Sequence, residues 1–452
     1  MNDAILVTID SLRADHVGCL GYDRETTPNI DKLASESALF ENTFAHACST
    51  RPSFPSILTS TYPLMYGGYE QLSEERTLIS EAFDDADYRT GGFHSNAYLN
   101  AEFGYDRGWD TFFDSKSDPG AIAKLRQWVK SNLDKDGIVY KTLASAFDTA
   151  ERQAGASIGS AYVDADEITD RAIEWLESGD SQQTFLWIHY MDVHHPYVPP
   201  EEHQLAFRDE PITERRAIQL RRKFIEDPAA VSEEEMDDII DLYDAEIRFT
   251  DAEIGRLLAA ADDALDEYAT IVTADHGEEF REHGDFSHFA KFYDEVLHVP
   301  MVFDDGEHAG RYNELVGLID VAPTLVDAVG LNLPEHFHGN SLQMLLEGEG
   351  WTRDEILCDW AGEPGGPRRF AYRDHNWKYI EREDRQELYD LRVDPGEQES
   401  MLPSDDEPAA LDEIRETVRE HEQDIEETMV DVEQVEMDEE VRQQLRDLGY
   451  KE

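Results

Sequence analysis

Cys48, Ser49 and Thr50 place three nucleophilic side chains in a row within the stretch His46–Pro63, HACSTRPSFPSILTSTYP. Alone, a Ser/Thr/Pro cluster reads as a turn and a helix N-cap. Two distant acids change its meaning. Asp10 ends the apolar run ILVTID, and Asp275-His276-Gly277 follows a second run, ATIVTA. An acid straight after buried residues falls at the carboxyl end of a strand, where open α/β sheets bind ligands. The plainer role for either acid is to cap the next helix. A carboxylate beside an imidazole suits Mn, Mg, Zn or Ca, and mixed oxygen and nitrogen ligation leans away from an all-oxygen calcium site. A threonine hydroxyl is inert near neutral pH unless a base or a metal activates it, and a cation also neutralises charge on an oxyanion under attack. Two strand ends bearing hard ligands, with a hydroxyl at the mouth of a helix, form a constellation for attack on a phosphorus or sulfur oxyanion. Thr50 is the candidate nucleophile, with Cys48 and Ser49 its rivals on chemistry alone.

Other side chains suit the same chemistry. His194 lies in HYMDVHHPYVPP, and His283 and His288 lie in EEFREHGDFSH, downstream of the Asp-His pair. Each can donate to a sulfate or phosphate oxygen or protonate a leaving group. His189 falls inside its strand and is expected to be structural. Arg51 and Lys291 are candidate anion binders, or else solvated surface charges.

Positioning these residues requires a scaffold of alternating short apolar runs and helical patterns, the signature of an α/β domain with a mostly parallel central sheet flanked by helices. Ile5–Ile9 suits a central strand buried on both faces. Thr27-Pro28 opens a helix as N-cap and first-turn proline, with Ile30, Leu33, Ala34 and Ala38 along one face. A helix over Ser56–Thr61 is expected behind the Thr50 turn. Strands are expected at Tyr88–Phe93, Thr184–Tyr190, Ala269–Ala274 and Val299–Phe303, and a helix over Asp164–Ser178. Ser232 and Glu235 form a capping box opening a long helix through Met236, Ile239, Tyr243 and Ile247 to Leu258. Residues 114–162 are less patterned and read as an insertion in a domain spanning 1–345. Residues 346–452 read as a smaller α+β unit. There Ile356–Trp360, Phe370–Arg373, Trp377–Ile380 and Glu387–Leu391 form a small antiparallel sheet, with a turn at Glu383-Asp384-Arg385, followed by an acidic helical tail.

Composition narrows the setting. Asp and Glu total 101 against 39 Lys and Arg, a formal net charge of -62, and only ten of the cations are Lys. Such a surface repels itself in dilute buffer but is tolerable at molar salt, where the screening length falls to about 3 Å. A protein of a salt-loving organism is the expectation. Three Cys, at 19, 48 and 358, offer neither a disulfide framework nor metal-ligand spacing. A strand entered by Ala4 leaves no room for an export signal, and no apolar run approaches the roughly 18 residues of a membrane span. A cytoplasmic protein is expected, and the lack of a basic stripe argues against nucleic acid as partner.

The motifs together resemble the sulfatase family of the alkaline phosphatase superfamily. IDSLRADHVGCLGY followed by TTPNIDKLA resembles the family's metal-binding first strand and following helix. STRPSFPSILTSTYP resembles its nucleophile segment, HYMDVHHPY its substrate-histidine loop and TADHGEEFREHG its second metal loop. DEVLHVPMVF, GLIDVAPTLVDAVGL, WKYI and ELYDLRVDPGE resemble further landmarks, so the likeness covers most of the chain. It implies an alkaline-phosphatase-like fold whose C-terminal sheet covers one edge of the cleft. It also implies Asp10, Thr50, Asp275 and His276 as metal ligands, with His194 and His288 binding substrate or serving as acid.

Departures refine the expectation. Counting back thirteen residues from Pro63, the family's catalytic Cys or Ser falls on Thr50, so formylglycine, which is made from Cys or Ser, is not expected. The family's Arg four residues later is Phe54, and its paired acids become Asp10-Ser11. His288 stands near the family's catalytic Lys, for which Lys291 is the substitute. One acid, a Thr and an Asp-His pair resemble the phosphoglycerol transferases and lipoteichoic-acid synthases, whose nucleophile is a metal-bound threonine; their membrane anchor is not expected here. The expected function is metal-dependent hydrolysis of sulfate or phosphate esters on a small molecule or glycan, through Thr50. The alternatives are transfer of a phosphoglycerol- or phosphoethanolamine-type group to a glycan or lipid head group, and non-catalytic binding of anionic glycans.

Overall fold

Asp3–Ile9 (β1) is buried along its whole length, as is Thr184–Tyr190 (β5) beside it. Continuous burial on both faces explains why these runs lack a polar alternation. The computed structural model describes residues 1–114, 162–179, 182–362, 366–383, 385–404 and 407–432. Within them β1 sits in the middle of an eight-stranded sheet of order β4-β3-β5-β1-β6-β7-β2-β8. The other members are Ala38–Phe44 (β2), Arg89–Phe93 (β3), Thr111–Phe113 (β4), Tyr268–Ala274 (β6), His298–Asp304 (β7) and Gly310–Gly317 (β8). β7 runs antiparallel to both its neighbours, and the remaining pairings are parallel. β1, β2, β3, β5 and β6 therefore present their carboxyl ends along one edge, the edge where such sheets hold ligands.

Helices cover the sheet. Pro28–Glu36 (α1) and Ala165–Glu177 (α3) both pack on a 32-residue helix, Glu233–Ala264 (α4). α3 buries Ile168, Ala172, Trp175 and Leu176, the stripe its 3.6-residue period indicates. Each large apolar side chain so buried is worth about 1.5–3 kcal/mol. The capping box opening α4 is present: Ser232 N donates to Glu235 Oε2 (3.0 Å), and Glu235 N donates to Ser232 Oγ (3.2 Å). A second sheet, order β12-β11-β10-β9, is wholly antiparallel. It comprises Ile356–Ala361 (β9), Arg368–Arg373 (β10), Trp377–Arg382 (β11) and Arg385–Asp390 (β12), and the helix Ala410–Glu427 (α5) packs on β10. No helix among the described residues is long and apolar enough to cross a membrane.

Two local expectations are corrected. The helix at the candidate nucleophile spans Thr50–Thr59 (α2), so Thr50 opens it rather than preceding it by a turn. Pro52 is tolerated because a first-turn residue has no intrahelical acceptor for its N–H. Ala38 does not extend the α1 stripe: Ser37 is extended (φ -130°, ψ -176°), and Ala38 begins β2. The insertion expected over 114–162 falls, from 115 to 161, outside the described residues, as do Asp384 of the expected turn and the tail beyond 432.

Candidate active site

Asp10 is the first residue past β1; its N–H donates to Tyr190 O on β5 (2.8 Å). Asp275 holds the same position after β6, with its N–H on Ile9 O (3.2 Å). The sheet's own ladder thus brings two acids 265 positions apart in sequence to adjacent strand ends. Ser11 then turns the chain with a left-handed φ of 59°, a costly conformation for a residue with a Cβ and one that concentrates at functional sites. Its N–H donates to Asp275 Oδ1 (3.1 Å) and its hydroxyl to Asp10 Oδ1 (2.8 Å).

His276 follows Asp275. Its Nδ1–H donates to Gly277 O (2.8 Å), which leaves Nε2 as the acceptor atom. That Nε2 lies 3.6 Å from Asp275 Oδ2 and 3.7 Å from Asp10 Oδ1. Position 277 requires glycine, because a Cβ there would stand 2.2 Å from Glu295 O. The Thr50 hydroxyl completes the group: Oγ1 donates to Asp10 Oδ2 (3.1 Å) and stands 3.4 Å from His276 Nε2. Thr50 also heads α2, whose N-terminal partial positive charge favours an anion in front of it. All four side chains are fully buried.

Asp10, Asp275 and His276 form a possible metal site, with one ligand atom from each within 4.8 Å of the others. The electrostatics fit a cation. Burial raises the Asp10 carboxyl, but the surrounding His194, His189 and His276 imidazoles outweigh it and hold Asp10 well below the usual carboxylate range. Burial, then the Asp10 charge, pushes Asp275 well above that range. Asp275 Oδ2 is buried with no hydrogen-bond partner among the described residues. An unpaired buried carboxylate oxygen facing a second carboxylate and an imidazole lone pair is a donor set that a divalent ion satisfies.

Around this cluster stand further polar groups. His288 lies tilted against His276, ring centroids 4.2 Å apart and planes at 45°, and its Nδ1 lies 3.2 Å from Glu278 Oε1. His194 lies 5.4 Å from His288 between centroids, and its Nδ1–H donates to His195 O (2.6 Å). Burial holds His194 down to about 4 and His288 well below its ordinary value. Both rings are neutral hydrogen-bonding groups near neutral pH. Residues that the sequence did not single out also belong here. Asn96, past β3, donates from Nδ2 to Asp10 Oδ2 (3.3 Å). Burial pushes the Glu278 carboxyl up to about 7. His189 is buried in β5, bonded through Nδ1 to Thr8 Oγ1 (3.0 Å), yet its Nε2 lies 3.6 Å from Asp10 Oδ2. No local pattern marks Asn96 or Glu278, since loop direction alone aims them.

Three other candidates are engaged in pairs of their own, Lys291 still within electrostatic reach of Glu278 and His288. Arg51 pairs with Glu70, through Oε2 (2.9 Å) and the backbone carbonyl (2.7 Å). Lys291 donates to the carbonyls of Phe286 and Ser287 (3.1 Å each) and forms an ion pair with Glu279 Oε2 (2.5 Å). His283 joins the two sheets' neighbourhoods: Nδ1 lies 2.6 Å from Glu295 Oε1 and Nε2 3.0 Å from Glu397 O. Both ring nitrogens face acceptors, so the imidazolium satisfies both. Burial opposes its charge, but Glu295 wins and raises His283 to about 8. A raised histidine contributes stability in full below its unfolded value near 6.5 and loses it as pH climbs through 8. The shift corresponds to about 2 kcal/mol. Denaturant titrations of wild type and His283→Gln are expected to differ most at pH 6 and to converge by pH 9; a gap independent of pH contradicts this.

The family described as Sulfatase matches residues 2–331. The chain belongs to the sulfatase family. A second match, described as N-sulphoglucosamine sulphohydrolase, C-terminal, covers residues 281–442. Among curated relatives, mouse (Mus musculus) iduronate 2-sulfatase is 27% identical over 437 residues, covering 80% of this chain and 76% of its own. An arylsulfatase of Clostridium perfringens is 24% identical over 458 residues, covering 91% and 92%. Among solved structures, one in complex with its substrate D-glucosamine-2-N,6-O-disulfate superposes with a TM-score of 0.71 at 19% identity, over 94% of this chain and 98% of its own. The phosphonate monoester hydrolase of Agrobacterium radiobacter gives 0.68 at 21% identity, over 94% and 95%. As a sulfatase-family protein the chain is a hydrolase of ester bonds.

Proposed function

We propose that this sulfatase-family enzyme hydrolyses sulfate or phosphate-type esters through the hydroxyl of Thr50. The observation that carries the reading is the convergence of Thr50 Oγ1 on Asp10 Oδ2 (3.1 Å) and His276 Nε2 (3.4 Å) beside the unpaired Asp275 Oδ2. The names of the curated relatives support sulfate esters as substrate. Asp10, Thr50, Asp275 and His276 would hold a divalent cation, Mn, Mg, Zn or Ca. Bound there, it supplies positive charge that favours the ionised Thr50 oxygen and offsets charge on the ester's oxyanion. Asp10 cannot do this as a base, because a carboxylate held below its usual range accepts a proton poorly.

The chain's residues divide the work. Thr50 Oγ1 gives its proton to water in the cleft and bonds to sulfur or phosphorus in line with the leaving oxygen, whose bond breaks. The α2 N-terminus and His288 donate to the non-bridging oxygens, and His288 passes its proton to the departing alcohol while its Nδ1 takes one from the Glu278 carboxyl 3.2 Å away, which burial pushes up to about 7. His194, whose Nδ1–H is held by His195 O, offers its Nε2 lone pair to the substrate. Water then displaces the threonine oxygen, restoring the hydroxyl and releasing sulfate or phosphate. Formylglycine plays no part: the Thr50 Cβ carries a methyl group, so oxidation there gives a ketone rather than an aldehyde. The neighbouring Cys48 thiol is buried and pushed up to about 11, away from the reactive thiolate.

The test is a panel of aryl sulfate, phosphate monoester and phosphate diester substrates in concentrated KCl with each of the four metals. Turnover of at least one ester, abolished by a chelator, is expected. Binding of all three esters without turnover under any metal would establish a non-catalytic binder instead. Threonine at position 50 also fits a transferase, which would reveal itself by product forming only when an acceptor alcohol such as glycerol is present.

A further inference from the structure

His288 and Phe289 face opposite environments. His288 is 2% exposed against the cluster, whereas Phe289 is 55% exposed, so the loop passes from the buried site to solvent within one residue. Left-handed φ angles at Ser287 (71°) and Ala290 (61°) bracket the pair and hold that reversal. Phe289 is the one exposed Phe, Tyr or Trp among the described residues. Solvating an aromatic ring forfeits about 1.5–3 kcal/mol of burial, so a lone exposed ring beside a catalytic loop asks for an occupant.

The second sheet meets this loop at the end of β9. Trp360 packs edge-to-face on Phe289, centroids 5.3 Å apart and planes at 89°. Arg369 of β10 lies over the Trp360 ring (4.9 Å) and donates from one Nη to Ala290 O (3.0 Å). Ala361, next to Trp360, is bonded to the hydroxyl of Tyr69, and the adjoining Glu70 holds Arg51, the residue after Thr50. β9 thus bridges the loop carrying His288 and the segment carrying Thr50.

Arg369 carries a charge that no ion pair offsets, as Arg76 and Arg248 also do among the described residues. In a chain of 101 acids and 39 Lys and Arg, a cation normally finds a carboxylate. No carboxylate lies within ion-pair distance of Arg369 among the described residues, although it is half-buried beside Arg382 and its charge reaches the Cys48 thiol, two residues before Thr50. A planar guanidinium in that position is matched to a bidentate anion.

We propose that Arg369 and Phe289, backed by Trp360, form a subsite for a sugar ring bearing a second anionic group beside the ester that is cleaved. The substrate class is then a multiply anionic glycan, the ring lying against Phe289 and its sulfate or carboxylate on Arg369. This rests on the hydrolase reading above but is tested separately from it. Wild type, Arg369→Ala and Phe289→Ala are compared on an aryl sulfate, on N-acetylglucosamine 6-sulfate and on D-glucosamine-2-N,6-O-disulfate. Arg369→Ala is expected to lower kcat/KM on the disulfated sugar by about ten- to a hundredfold, the worth of a charged hydrogen bond, and to spare the aryl sulfate. Phe289→Ala is expected to raise KM for both sugars. A monosulfated sugar carrying a carboxylate in place of the second sulfate separates the two anions by their relative loss. Equal losses on all three substrates would make Arg369 merely a tether for Ala290 and overturn the subsite. If wild type turns over none of them, the hydrolase reading fails. Calorimetry with the disulfated sugar then decides the subsite: tenfold weaker binding by Arg369→Ala upholds it, and unchanged or absent binding overturns it.

Discussion

Thr50→Ala is expected to lower kcat by about four to six orders of magnitude, the range seen when an enzyme's nucleophile is deleted, while leaving the fold intact. The hydroxyl lies at the first position of α2, where it makes no helix hydrogen bond, and its partners are Asp10 and His276. Removing it leaves Asp10 still accepting from the Ser11 hydroxyl and Asn96. The α2 N-cap belongs to Ser49, so helix stability should change little. Cys48→Ala and Ser49→Ala serve as the contrast, each expected to keep activity within about tenfold, because neither side chain joins the Asp10–Asp275–His276 cluster. Steady-state rates on the preferred ester measure all three, and intact-mass spectrometry of quenched wild type looks for a sulfate or phosphate adduct on the peptide bearing Thr50. A Thr50→Ala enzyme retaining a tenth of wild-type kcat would remove the nucleophile from this position.

The expected loss is large because the site is fixed by the central strands, and those strands are what the sequence displays most openly. β1, β5 and β6 are buried along nearly their whole lengths, so their runs are continuously apolar and the acids that end them stand out. β2 and β8 are another matter. In ALFENTF the apolar residue Ala38 follows Ala34 at helical spacing, and only the extended Ser37 breaks the register. GRYNELVG is exposed over most of its first five residues, an edge strand recognisable only through its partner β2. The double proline of α2 disguised its start, since Pro52 looks like a breaker yet sits where the helix has no bond to lose.

Among polar residues the dividing line is whether direction is set locally or by distant chain. Asp10, Asp275 and His276 follow strands, so their placement comes with the sheet. Asn96 and Glu278 follow loops, and their aim depends on packing with no sequence period. The cations are hard to read for a different reason. Arg51, Lys291 and His283 look free in the sequence, but their partners Glu70, Glu279 and Glu295 are brought to them by folding. With acids in such excess, an available cation is the exception that structure must reveal.

The two buried carboxylates allow the sharpest separation of stability from function. Asp275→Asn is expected to abolish metal binding and activity while stabilising the metal-free protein. Asp275 Oδ1 accepts the N–H groups of Ser11 (3.1 Å) and His276 (2.8 Å), and an asparagine carbonyl in the same place accepts both. The substitution replaces only Oδ2, the oxygen that is buried without a hydrogen-bond partner and faces His276 Nε2 and the Asp10 carboxylate. Relieving that desolvated, unpartnered oxygen is worth on the order of 1–3 kcal/mol, so thermal unfolding in chelator should show the variant at least as stable as wild type. Adding Mn, Mg, Zn or Ca should then raise the wild-type midpoint by mass action and leave the variant unmoved. Loss of a direct ligand should weaken binding by more than about a hundredfold, the upper cost of losing a mere supporting group. Asp10→Asn makes the complementary case. Its carboxylate is stabilised by His194, His189 and His276 and accepts from Ser11, Thr50 and Asn96, so it should lose metal and stability together. Elemental analysis after dialysis and differential scanning calorimetry with and without chelator separate the pair. Full metal occupancy in both variants would show that the strand-end acids do not hold the cation. An Asp275→Asn protein less stable than wild type in chelator would show instead that the bare carboxylate oxygen has a partner the geometry does not reveal.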